Sequence, residues 1–152
     1  VPWVISDGLR AFRAVDTAIV TGMGALLIHR ILQAGPRPAT AIVHAPDDPP
    51  KLRALLAADG WRIDAEGLAP EAGRYAEVVR VVNGEEPASG LTLHFGPQLV
   101  RSDDPLLESH LRQLAGYHER LLGVVPEAAA ARRDALHERL RYLQQVLAER
   151  FD

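Results

Sequence analysis

The stretch "VDTAIVTGMGALLIHRILQAG", residues 15–35, decides how the rest of the chain is read. "VDTAIVT" is short and continuous in apolar residues, the pattern of a buried strand. "ALLIHRILQAG" then carries Leu27, Ile28, Ile31 and Leu32 at helical spacing, and Gly35 with Pro36 stops it. Between the two lie Gly22, Met23 and Gly24. A strand, a glycine turn and a helix make a βα unit. Working outward, "ATAIVHA" predicts the next strand and "DDPPKLRALLAADG" the next helix. Asp48 caps that helix, prolines suit its first turn, and Gly60 ends it. "WRIDAEG" and "AEVVRVVNG" predict a closing strand pair around a Gly/Pro-containing turn. With no helix between them, these strands must be antiparallel, because a parallel pair needs a crossover. Upstream, "VPWVIS" predicts a strand, and "DGLRAFRAV" a turn and short helix with Leu9 and Phe12 on one face. Alternating strands and helices predict an α/β fold, a largely parallel sheet with helices on both faces.

Residues 1–83 hold this pattern, and residues 84–105, "GEEPASGLTLHFGPQLVRSDDP", read as a linker with several turn signals. From residue 106 to 152 the character changes. Leu107, Leu111, Leu114, Tyr117 and Leu121 recur at three-and-four spacing, as do Leu136, Leu140, Leu143 and Leu147. Gly123 and Pro126 punctuate the joint as helix stop and helix start. The pattern predicts an antiparallel helical hairpin with a coiled-coil-like seam.

Composition narrows the class. The 152 residues suffice for one domain with a core, and 47% hydrophobic with 24% charged residues is ordinary for a globular protein. With no cysteine there is no disulfide and no thiolate metal site. No run is long and apolar enough to span a membrane, and no signal peptide appears, so the expected location is the cytoplasm. A formal net charge of -3 argues against a free-standing nucleic-acid clamp, though not against a local basic patch.

Several residues can carry chemistry. Gly22 and Gly24 sit where ligands of open α/β sheets bind, and missing side chains let ligand atoms approach the backbone beside the free N–H groups of a helix start. The alternative is a tight packing turn; a full dinucleotide fingerprint would want a third glycine where Leu27 stands. Asp7, followed by Gly8 and Leu9, can accept hydrogen bonds from a purine amine or ribose hydroxyl, or can simply cap a helix. His44, at a strand's carboxyl end, is a candidate polar contact to substrate or simply finishes the strand. Arg132, Arg133, Arg139 and Arg141 can form a basic stripe for phosphates, or a solvated face balanced by Asp134 and Glu138. Residues 101–152 hold eight arginines against nine acids. The six histidines show no recognised metal spacing, and His110, His118 and His137 read as core-edge or surface residues.

In order, Asp7-Gly8-Leu9, "VDTAIVTGMG", "LLIHRILQAG", "AIVHAP", "LRALLAADGWRI", Glu77 in "YAEVVRV", "FGPQLV" and a leucine-rich hairpin follow one another. That series resembles the bacterial tRNA (adenine-22-N1)-methyltransferase family, which uses S-adenosylmethionine. The resemblance covers nearly all of this chain and the later part of the family's length. It implies a Rossmann-like class I methyltransferase sheet, here lacking its first strands, followed by the helical hairpin. It implies that Asp7, Gly8 and Leu9, with Gly22, face the methyl donor. Gly22, Met23 and Gly24 would form the loop where donor and target base meet, and the hairpin would help hold tRNA. Adenine N1 has a lone pair that can attack the donor's methyl directly, so the protein's task is alignment, with the base exposed from its RNA.

The chain departs from the family at Ala25, where a second consecutive glycine is usual, and at His44, Ala45 and Pro46, where the family has Gln-Pro-Asn. Ala76-Glu77 stands where the family has Tyr-Glu. The family's glycine-rich donor motif has no counterpart. The opening strand would then be an edge strand without neighbours, so the chain is expected to be part of a longer product, or to pair its strands in another way, and to be inactive alone. Two other classes stay open: a non-catalytic interaction protein on a degenerate methyltransferase fold, and a nucleotide-binding oxidoreductase.

Overall fold

The computed structural model describes residues 3–151. They form two compact units divided between Ser102 and Asp103. The first runs β1 (Thr17–Thr21), α1 (Ala25–Gln33), β2 (Thr40–His44), α2 (Pro49–Ala58), β3 (Trp61–Glu71), β4 (Arg74–Asn83) and α3 (Gly90–Phe95), then a 3₁₀ turn at Leu99–Arg101. The second holds α4 (Leu107–Val124) and α5 (Ala130–Phe151).

The sheet order is β1-β2-β4-β3. β1 and β2 are parallel, while β4 is antiparallel to both β2 and β3. The sheet is therefore mixed, not wholly parallel: β1, β2 and β3 run one way, linked through α1 and α2, and β4 lies antiparallel between β2 and β3. Nor do α1 and α2 cover both faces. Alternation along each strand puts Ala18 and Val20, Ala41 and Val43, Val79 and Val81, and Trp61 and Ile63 on one side. There they meet Ile28 and Leu32 of α1 and Leu52 and Leu56 of α2. Ile28, Leu52, Leu56 and Ile63 are fully buried, each worth roughly 1.5–3 kcal/mol. The other face carries Ile19, 69% exposed, and the exposed Arg62 and Arg80.

The strand expected at "VPWVIS" does not form over Trp3–Ser6, which has no regular structure; Val1 and Pro2 lie outside the described residues. Trp3 and Ile5 are fully exposed. A lone strand has no partner for its backbone groups, so apolar content alone cannot hold it extended. Residues 8–11 form a turn, not the expected helix.

α2 begins as its sequence dictates: Asp48 accepts the Lys51 N–H at 3.0 Å and prolines fill the first turn. β3 and β4 close through Ala72 and Gly73, both at positive φ (44° and 80°), the two-residue turn that suits a twisted hairpin. β4 pairs with β2 only over Val79–Val82. The tip of the hairpin therefore runs on past the end of β2. Residues 84–102 pack on this unit through Phe95, Leu99 and Val100, all buried. Glu86 accepts the Ile63 N–H at 2.7 Å, where the β3–β4 register shifts.

In the second unit Leu107, Leu111, Ala115 and His118 face Leu136, Leu143, Val146 and Leu147. Arg150 near the end of α5 reaches Asp103 at 3.4 Å, so the helices are antiparallel. Tyr117, expected in the seam, is 50% exposed, and His118 takes the place. α4 runs through Gly123, and Pro126 opens a turn rather than α5. Arg133 closes the joint by donating to Leu122 O at 2.9 Å and Val125 O at 2.8 Å. It supplies donors for carbonyls that the end of α4 leaves without helical partners.

Candidate functional site

The carboxyl ends of β1 and β2 bring together Gly22–Gly24, His44 and the tip of the β3–β4 hairpin. Gly22 N donates to His44 O at 3.2 Å, extending the β1–β2 pairing by one residue. Its φ of +72° demands glycine, yet nothing lies within 4 Å of where a Cβ would stand. Gly24 has an ordinary backbone, but a Cβ there would meet Asp47 Oδ2 at 3.1 Å. Two glycines one residue apart thus exist for two reasons, one conformational and one steric. The steric neighbour belongs to the protein.

Asp47 was not among the residues singled out by sequence. Its Oδ1 accepts the Ala25 N–H at 3.0 Å, capping α1, since Gly24 has no side chain to do so. A carboxylate there also complements the positive end of the helix. The expected free N–H groups at the start of α1 are partly taken. Met23 is 40% exposed on the loop.

His44 is buried at the end of β2. Its Nδ1 lies 3.1 Å from Glu77 O, and its Nε2 lies 3.8 Å from Glu71 Oε2. A carbonyl oxygen only accepts, so Nδ1 carries the hydrogen. Glu77 turns its carboxylate to the sheet's other side, where Arg53 Nη2 donates to it at 2.6 Å. Arg53 Nε donates to Glu66 at 2.7 Å and Nη1 to His94 O at 3.1 Å. Burial opposes the guanidinium's charge, but Glu77 and Glu66 outweigh it through charge and hydrogen bonds and hold Arg53 above the ordinary arginine range. Glu66 also accepts the N–H groups of Gln98 and Leu99 at 2.9 and 3.0 Å. This triad fixes β3, β4, α2 and the "FGPQLV" stretch beside the strand end that holds His44.

Asp7, Gly8 and Leu9 lie elsewhere. A Cβ on Gly8 would stand 3.3 Å from Ile31 O, and Leu9 backs onto Gly35, so this turn sits at the far end of α1. That is about 13 Å along the helix from Gly24. Asp7 pairs with Arg10 at 3.0 Å in solvent. The described residues therefore form no pocket for S-adenosylmethionine by themselves: the loop is open, and the donor-facing acid expected with it is not beside it. Of the four hairpin arginines, Arg133 is committed to the α4 carbonyls. Arg132 and Arg139 share one side of α5, and Arg141 projects from the opposite side, about 180° away. They do not form a single stripe. Among the described residues no helix is long and apolar enough to cross a membrane.

A mixed α/β sheet with a glycine-bearing βα turn at its carboxyl edge defines a partial Rossmann-like domain, with a helical hairpin after it. A protein in the NADB-Rossmann superfamily from Streptococcus agalactiae superposes with a TM-score of 0.82 at 24% identity, over 95% of this chain and 66% of that one. The chain belongs to the tRNA (adenine(22)-N(1))-methyltransferase family, TrmK, whose sequence profile matches residues 3–145. Sp1610 of Streptococcus pneumoniae, a candidate tRNA (m1A22) methyltransferase, superposes at 0.77 with 29% identity, over 88% of this chain and 62% of that one. The same protein in complex with S-adenosyl-L-methionine superposes at 0.73 with 27% identity, over 88% and 60%. The chain thus spans 60–66% of the length of these solved relatives. No curated protein matches it by sequence.

Proposed function

We propose that the chain is the substrate-side portion of an S-adenosylmethionine-dependent tRNA methyltransferase that modifies N1 of adenine 22. The observation that carries this reading is the family match over residues 3–145, which includes both the Gly22–Gly24 loop and the hairpin. In this reading Gly22, Met23 and Gly24 receive the target base. The loop, where Gly22 has no side chain, lets the base come close to the backbone, and His44 lines the same edge. The α4–α5 hairpin holds tRNA through Arg132 and Arg139, which share one side of α5, with Arg133 fixing the joint.

The donor is held mainly by a further, N-terminal portion of the same product, with Asp7, Gly8 and Leu9 completing that pocket once it is present. Three observations support this. More than a third of each solved relative's length lies outside the match, which covers 66%, 62% and 60% of them. β1 leaves one edge unpaired. Ile19 lies exposed on the sheet face that α1 and α2 do not cover. The protein acts in the cytoplasm, where tRNA is modified. The test is methyl transfer from S-adenosylmethionine to bulk unmodified tRNA by the complete product, with nucleosides identified by mass spectrometry. 1-Methyladenosine at position 22 is expected. Donor binding without methylated tRNA would overturn the substrate, and no donor binding would overturn the enzyme reading.

A further inference from the structure

Two hydrogen-bond acceptors face each other beside the Gly22–Gly24 loop with no donor between them. In the neutral imidazole, His44 gives its ring hydrogen to Glu77 O through Nδ1, at 3.1 Å. Its Nε2 is left with a lone pair, is buried, and makes no hydrogen bond. The Glu71 carboxylate stands opposite, Oε2 at 3.8 Å, beyond hydrogen-bond reach. The neighbouring charged groups are already used or exposed to solvent. Glu77's carboxylate is bound by Arg53, Asp47 caps α1, and Arg74, across the hairpin from Glu71, is exposed. A buried lone pair facing a carboxylate is unfavourable until a donor enters between them.

We propose that His44 and Glu71 together read the exocyclic amino group of the target purine, one amine hydrogen on His44 Nε2 and the other on the Glu71 carboxylate. This rests on the reading above that the site methylates adenine. A primary amine is the group that fits, because it carries two hydrogens on one atom. Acceptors each about 2.9 Å from an amine nitrogen, about 120° apart, stand about 5 Å from each other. The pair must therefore open by about 1 Å. His44 is fixed by its strand and by Glu77, so Glu71 does the moving. Its side chain is 50% exposed, one residue from the hairpin turn and beyond the last residue of β4 that β2 pairs with. A purine with a carbonyl at that position presents a third acceptor to two others and is rejected. His44 and Glu71 thus select adenine through what they lack, a donor.

The test uses the complete product and two RNA substrates, one with adenine at the target position and one with purine, which has hydrogen in place of the amine. The parent enzyme is expected to favour adenine by about 10- to 100-fold in kcat/KM. His44→Ala and Glu71→Ala are each expected to shrink that ratio several-fold. His44→Gln, which keeps an amide acceptor, restores part of it and keeps the ratio readable should His44→Ala fail to fold. A uniform loss on both substrates, with the ratio unchanged in every variant, would mean that His44 only supports the hairpin and would overturn the proposal. Equal rates on both substrates by the parent would overturn it too. No methylation of the adenine RNA by the parent would instead sink the functional reading, and this proposal with it.

Discussion

Replacing Arg53 with methionine tests whether the buried triad organises this end of the sheet. The substitution keeps the side chain's apolar stem and removes the guanidinium. Three hydrogen bonds go with it: to Glu66 at 2.7 Å, to Glu77 at 2.6 Å and to His94 O at 3.1 Å. What remains is two carboxylates, 1% and 10% exposed, without their cation. Breaking a buried ion pair by removing one partner costs about 3–5 kcal/mol. Glu66 still receives two backbone N–H groups, which places the loss toward the lower end. Against a domain stability of about 5–15 kcal/mol, that is a large fraction. Urea unfolding followed by fluorescence of Trp61 reads it as a lower midpoint at constant slope. Arg53→Lys keeps the charge but cannot make the planar fork to two carboxylates, so it falls between parent and methionine. Because Arg53 is held above the ordinary arginine range, its contribution is fully present below that range and lost only as pH rises through the raised value. The deficit of Arg53→Met should therefore not shrink between pH 7 and 10 through any loss of charge on Arg53. A deficit under about 1 kcal/mol would refute the triad as an organiser.

Three further substitutions probe local geometry. Gly96→Ala would place a Cβ 2.8 Å from Arg53 Nη2 and from both Glu66 oxygens at a φ of +97°. It should cost more than about 2 kcal/mol by urea unfolding, whereas Gly22→Ala, with open space around it, should cost only the left-handed strain of about 1–2 kcal/mol. Ala72→Asn, at φ 44° before Gly73, should stabilise by about 0.5–1 kcal/mol, read as a higher urea midpoint, since asparagine tolerates that conformation better than alanine. Arg133→Ala leaves the Leu122 and Val125 carbonyls without their donor. It should destabilise the hairpin unit by about 1–3 kcal/mol, seen as faster amide exchange near the joint, while Arg132→Ala changes stability by under about 0.5 kcal/mol.

Local rules carried a good part of the architecture. The βα unit at 15–35, the Asp48 cap, the antiparallel hairpin of β3 and β4, and the paired terminal helices all follow from spacing, caps and turn residues. The misses share a cause. A strand needs a partner, and nothing in "VPWVIS" reveals whether one exists. Helix positions in α4 show the same limit: alternating steps of four and three from Leu107 through Leu111 and Leu114 land on His118, but the greater hydrophobicity of Tyr117 draws attention one residue early. Arg53 was one arginine on an amphipathic helix until β3 and β4 delivered Glu66 and Glu77 to it from 13 and 24 residues away. Register, not residue type, makes it central. Glu71 likewise acquires a role only because β3 and β4 outrun β2.

The chemical character of the site edge follows from the same placement. Open α/β sheets often use a free helix start to hold an anion. Here Asp47 occupies the start of α1 and brings a negative charge with it. Beyond it the edge continues with the Nε2 lone pair of His44 and the Glu71 carboxylate. A pyrophosphate brought there would meet carboxylates where it needs donors, which argues against a dinucleotide seated on this turn. A group bearing hydrogens on nitrogen meets acceptors from two directions. Gly22 leaves room around the backbone, and the side chains that surround that room decide what enters it. An adenine amine suits them; a phosphate does not.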